Sequence, residues 1–158
     1  MILMGSSMGA AACAFAAGEE RDLADALILD STYDSLFEAT DGWWHFLGKM
    51  TVAPRLWRLA FAPLARVAKL ALGFSPREAR VSRAMNGYDR PVLLLHGRVD
   101  TIAPLPHAEN VLGALAGRKD LCVFDHCDHA EMRWLQPERY GEAVGAFLTS
   151  MGLPPRVP

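Results

Sequence analysis

The chain has 158 residues, 51% of them hydrophobic and 22% charged, which suits one packed globular domain over 1–158 and excludes a disordered or fibrous chain. Sixteen basic against eighteen acidic residues give a formal charge of −2, which speaks against a nucleic-acid footprint or a polybasic membrane anchor. Three cysteines, Cys13, Cys122 and Cys127, make no disulfide framework and favour a reducing, cytoplasmic setting.

In chain order, Ile2-Leu3-Met4 reads as a short strand, Gly5-Ser6-Ser7-Met8-Gly9 as a sharp turn, and Ala10 to Ala17 as a helix of small residues ending at Gly18. Ser7 stands at the apex of this Gly-x-Ser-x-Gly turn, a nucleophile elbow. Glycine is expected on both flanks, because the strand and helix crowd the turn. The stretch lacks the basic leader of a signal peptide, and Glu19-Glu20-Arg21-Asp22 breaks it before it could cross a bilayer, so no stable membrane insertion is expected. A second strand runs from Ala26 to Asp30. An insert follows at about 33–90, rich in aromatics: Trp43, Trp44 and Phe46 are candidates to line a substrate site beneath a helical lid, against the plainer reading of helix packing. The four cations of its stretch from Arg55 to Lys69, namely Arg55, Arg58, Arg66 and Lys69, read as a solvated face.

Beyond the insert, Pro91 to Gly97 is a buried parallel strand ending in a tight turn, with Asp100 in the loop behind it. Pro104 and Pro106 start a helix towards Gly117. Leu121 to Phe124 is another strand, and the loop Asp125-His126-Cys127-Asp128-His129-Ala130 precedes a last helix opened by Pro137, with Tyr140, Val144, Phe147 and Leu148 on one face. The alternation of strands and helices implies a parallel sheet of about four strands with flanking helices, an α/β class.

Ligands of open α/β sheets bind outside the carboxyl ends of the strands. Ser7, Asp100 and His129 all follow such ends, in the order Ser, Asp, His that a nucleophile, its orienting acid and its base take in one type of serine hydrolase. Alternatives exist for each: Ser6 for the nucleophile, Asp30 for the acid, His126 for the base. His126, Cys127 and His129 could instead be read as metal ligands, but no second ligand pair with matching spacing accompanies them.

With these three segments in this order, the chain resembles the α/β-hydrolase superfamily of serine esterases, thioesterases and aminopeptidase-like enzymes. The segments are Gly5 to Gly9, His96-Gly97-Arg98-Val99-Asp100 with Pro104 behind it, and Asp128-His129-Ala130. The segment Ala26 to Tyr33 with Ser35 is similar to the strand and loop after the elbow in branches with a helical insert. The resemblance implies a Ser7-His129-Asp100 triad, an oxyanion-hole amide on Met8, and acyl transfer from an ester, thioester or amide with no metal or organic cofactor. The partner implied is a small-molecule acyl substrate. The resemblance covers only about the carboxy-terminal half of such a domain. The strands before the elbow, and the early loop that supplies a second oxyanion donor, have no counterpart, so a truncated fragment is expected. Loss of one oxyanion donor costs about 3 kcal/mol of transition-state stabilisation. The first strand would then have an open edge prone to self-association. A catalytically impaired remnant acting as an interaction module is the competing expectation.

Overall fold

The computed structural model describes residues 1–40 and 79–152. Four strands, β1 (Ile2–Ser6), β2 (Ala26–Asp30), β3 (Val92–Gly97) and β4 (Lys119–Phe124), form one parallel sheet in the order β1-β2-β3-β4. Parallel neighbours need crossover connections. Among the described residues these include α1 (Met8–Glu19) between β1 and β2, α2 (Val81–Ala84) before β3, and α3 (Pro106–Ala114) between β3 and β4. After β4 come α4 (Met132–Leu135) and α5 (Pro137–Ser150).

The two inner strands are buried along their whole length, and apolar up to Asp30 in β2 and His96 in β3, because both of their faces are covered. Side chains alternate across the sheet with period two. Leu27, Leu29, Val92 and Leu94 face one layer, with Ala10, Ala14 and Ala17 of α1 and Val111 of α3. Ala26, Ile28, Leu93 and Leu95 face the other, with Phe124, Met132 and Phe147. The alanines of α1 recur at helical spacing, so a helix without bulk on its inner face lies close against the sheet. On α5, Tyr140, Val144, Phe147 and Leu148 all pack on the second layer, the stripe their spacing predicts. Residues 79–90, which the sequence groups with the insert, belong to the first layer: Val81, Met85 and Tyr88 are fully buried in it. The aromatic candidates Trp43, Trp44 and Phe46, and the lid-like part of the insert, lie outside the described residues.

Residues 34–36 and 79–82 are fastened to each other. Ser35 and Arg80 form an antiparallel bridge, Val81 N–H donates to Asp34 O at 2.8 Å, and the buried Asp34 carboxylate accepts from Ser82 N and from Arg80, both at 2.8 Å. The register sets Ser6 beside Asp30, Asp30 beside Leu95, and Leu95 beside Cys122, so the strands end nearly level and the loops after β1, β3 and β4 leave one edge together. All three cysteines are free. Among the described residues no helix is long and apolar enough to cross a membrane.

Candidate active site

Ser7 links β1 to α1 with φ 53° and ψ −117°, a left-handed conformation that costs a non-glycine residue about 1–3 kcal/mol. Its contacts hold it there: Ser7 N–H donates to Asp30 O at 2.8 Å, and Ser7 O accepts from Ala11 N at 3.1 Å. The hydroxyl does not cap α1 and is left for another partner. Gly5 makes the turn possible, since a Cβ there would overlap the Gly9 carbonyl and come within 2.6 Å of Ala10 N. Gly9 is different. A Cβ on it meets nothing within 4 Å, so the expectation of a required glycine on both flanks holds only for Gly5. Gly9 sits in the first turn of α1 on its exposed side, where no neighbour crowds it. Gly5→Ala should therefore destabilise the fold by about 1–3 kcal/mol or more, whereas Gly9→Ala should raise stability by about 0.5–1 kcal/mol. Urea midpoints of the two variants would show this, and equal losses would contradict it.

Asp100 lies in the loop after β3 with its side chain fully buried. Its Oδ1 accepts the N–H groups of Ile102 at 2.9 Å and Ala103 at 2.7 Å, which fixes the carboxylate plane. Its Oδ2 stands 2.8 Å from Nδ1 of His129. The other ring nitrogen, Nε2, stands 2.8 Å from Ser7 Oγ. With Asp100 ionised, Nδ1 carries the proton and donates it to the carboxylate, which leaves the Nε2 lone pair to accept from the serine hydroxyl. Met8 opens α1, so its backbone N–H is one of the first four that have no partner within the helix.

The alternatives sit elsewhere. Ser6 ends β1 in register with Asp30. The Asp30 carboxylate is buried on the α5 side, where Tyr140 Oη donates to it at 3.0 Å and Arg133 stands 3.9 Å away. Burial, then the Asp30 charge, push the Tyr140 phenol well above its usual range. His126 is exposed in a left-handed turn at φ 60°. Cys127 is buried and accepts from Gln136 Nε2 at 3.3 Å. Among the described residues no three ligating side chains converge as a metal site would require.

No protein-family model matches the sequence, and no curated protein matches it. Solved structures do. An esterase of Pyrococcus furiosus superposes with a TM-score of 0.69 at 22% identity, over 94% of this chain and 53% of the esterase. An alpha/beta hydrolase enzyme from the metagenome of lagoon sediments at Mar Chica, Morocco, matches with a TM-score of 0.65 at 20% identity, over 96% of this chain and 62% of that one. The chain has the α/β-hydrolase fold. A meta-cleavage product hydrolase of Pseudomonas fluorescens also shares it, with a TM-score of 0.64 at 19% identity over 94% of this chain and 64% of the hydrolase. The chain spans about half the length of the first of these neighbours, and the described sheet is a partial α/β-hydrolase fold.

Within this α/β-hydrolase fold, two further histidines are buried beside the site. His96 donates from Nε2 to Ala103 O at 2.7 Å and stands 3.6 Å from Asp100 Oδ2. His107 accepts the Asp34 N–H at Nδ1, 3.1 Å away, and so ties α3 to the loop after β2. Burial lowers both pKa values from the usual 6.5, against the opposing pull of the Ala103 carbonyl and Asp100 on His96 and of Glu38 and Asp34 on His107. A histidine whose folded pKa is depressed binds fewer protons folded than unfolded, so the stability it supports is intact above about 6.5 and is lost as pH falls below that value. The urea midpoint should drop between pH 7.5 and 5.5, above the range where carboxylates titrate. A flat or rising midpoint over that interval would contradict this assignment.

Proposed function

We propose that this chain is the nucleophile-bearing part of a serine hydrolase that cleaves carboxylic esters, thioesters or amides through Ser7, His129 and Asp100. One observation carries the reading: the unbroken hydrogen-bonded chain from Ser7 Oγ through both nitrogens of His129 to Asp100. Nucleophile, base and orienting group within hydrogen-bond reach of one another are what acyl transfer asks of a protein. In this scheme Ser7 Oγ attacks the acyl carbonyl while its proton passes to His129 Nε2. The Met8 N–H, at the positive end of α1, stabilises the oxyanion. His129 then delivers that proton to the leaving alcohol, thiol or amine, and the acyl group stays on Ser7. Water, deprotonated by His129, attacks the acyl-enzyme, and the carboxylic acid departs as the proton returns to Ser7. Asp100 keeps its charge throughout and balances the imidazolium.

That the structural neighbours are an esterase and hydrolases supports the same class. A cytoplasmic location remains part of this reading. A second one, a non-enzymatic module that self-associates, is favoured by β1, which has no partner on its outer side among the described residues and exposes Met4. Fluorophosphonate treatment of the purified chain separates the two. The hydrolase reading expects one probe per chain, located by peptide mass on Ser7. A folded, associated chain that takes no probe would favour the module.

A further inference from the structure

The loops that carry Asp100 and His129 are joined to each other across the sheet edge. Arg98 N–H donates to Phe124 O at 2.9 Å and Val99 N–H to Cys127 O at 3.3 Å. Gly97 permits this approach, since a Cβ there would come within 2.8 Å of Asp128 O. One side chain then spans both loops. The Asp128 carboxylate accepts Thr101 N–H at 2.7 Å and Thr101 Oγ1–H at 3.1 Å, and its Oδ1 also accepts the backbone N–H of His129 at 2.8 Å. Thr101 is the neighbour of Asp100, so one carboxylate fixes the backbone beside the acid and the backbone of the base. Burial pushes the Asp128 carboxyl up, but the amide bonds from Thr101 and His129 outweigh it and hold the group below its usual range.

On the other side of His129, Ala130 N–H donates to Ser31 Oγ at 3.0 Å. Ser31 is fully buried at the end of β2, its own N–H bonded to Leu95 O at 2.9 Å, and its hydroxyl faces Met132 Sδ at 3.7 Å. Both Ser31 and Ala130 are left-handed, with φ 50° and 57°. Such strain in non-glycine residues persists where surrounding contacts over-determine it. The amides of residues 129 and 130 thus both end on side chains, one from Asp128 within the loop and one from Ser31 beyond the end of β2.

We propose that Asp128 and Ser31 are positioning residues for His129: neither touches the reacting atoms, and together they set where the imidazole stands between Ser7 and Asp100. His129 has two short hydrogen bonds to satisfy at once from opposite ring nitrogens, so a displacement of its Cα breaks one or the other. A misplacement of about 1 Å costs roughly a hundredfold in rate. The kinetic consequence rests on the hydrolase reading, whereas the positional one does not.

The test compares Asp128→Ala, Asp128→Asn and Ser31→Gly in the full chain. Glycine is at ease at φ 50°, so Ser31→Gly removes the hydroxyl without opposing the backbone. Asparagine retains an oxygen for the amides. Two readouts are taken: the downfield proton NMR resonance of His129 Nδ1–H, assigned by its absence in His129→Ala, and the rate of fluorophosphonate labelling against probe concentration. In Asp128→Ala and Ser31→Gly the resonance should move or broaden, and the saturating labelling rate should fall roughly 10- to 100-fold at an unchanged half-saturating concentration. Asp128→Asn should recover the rate to within about threefold of the wild type. Wild-type resonance and rate in both Asp128→Ala and Ser31→Gly would overturn the proposal while leaving the hydrolase reading intact. A wild-type chain that takes no probe, with a His129 resonance that still moves in the variants, would do the reverse. Should Asp128→Ala fail to fold, Ser31→Gly decides alone, and an unmoved resonance there counts against the proposal.

Discussion

Ser7→Ala should take fluorophosphonate labelling from one probe per chain to none and remove turnover of an activated acyl ester. The loss of a triad nucleophile costs on the order of a million-fold in kcat, because the base and the acid then have no atom to act on. Stability should change far less. The strained backbone at φ 53° is held by Ser7 N–H on Asp30 O and by Ser7 O on Ala11 N, and alanine retains both bonds. The hydroxyl contributes only its contact with His129 Nε2. Ser6→Ala is the matching control, since Ser6 ends β1 without sharing the apex conformation. Intact mass after probe treatment checks both. Retained labelling in Ser7→Ala would place the reactive atom elsewhere and end the proposed mechanism.

The fold was legible because its signals are strong and local. Leu93, Leu94 and Leu95 in an unbroken apolar run describe a strand covered on both faces, and the alanines of residues 10–17 describe a helix pressed against it. The order of Ser7, Asp100 and His129 could likewise be read off, since each follows a strand and parallel strands end at one edge. The surroundings of those residues could not. Asp128 meets Thr101 across 27 residues and Ser31 meets Ala130 across 99, and no periodicity in the chain encodes such pairs. Asp128 stands in a loop whose pattern marks His129 and gives Asp128 no role of its own. Ser31 follows Asp30 with nothing to mark its left-handed backbone. The open space beside Gly9 was equally hidden, because the Gly-x-Ser-x-Gly pattern does not say which flank is crowded.

Asp100→Asn should lower kcat for an activated ester on the order of ten-thousand-fold with the fold preserved, and the reason is a tautomer. The amide oxygen of asparagine would take the place of Oδ1, where Ile102 and Ala103 N–H groups point at it. Its NH2 group would then face His129 Nδ1, a donor where the carboxylate was an acceptor. The imidazole answers by carrying its proton on Nε2 instead, directed at Ser7 Oγ, and in that form it cannot accept the serine proton. Asp30→Asn provides the contrast. That carboxylate meets Tyr140 and Arg133, not the histidine, so its loss should disturb packing between α5 and the sheet and leave the His129 tautomer as it was. Steady-state hydrolysis of a p-nitrophenyl ester by the two variants, with urea midpoints alongside, distinguishes the carboxylates. Near wild-type turnover in Asp100→Asn with collapse in Asp30→Asn would transfer the orienting role to Asp30.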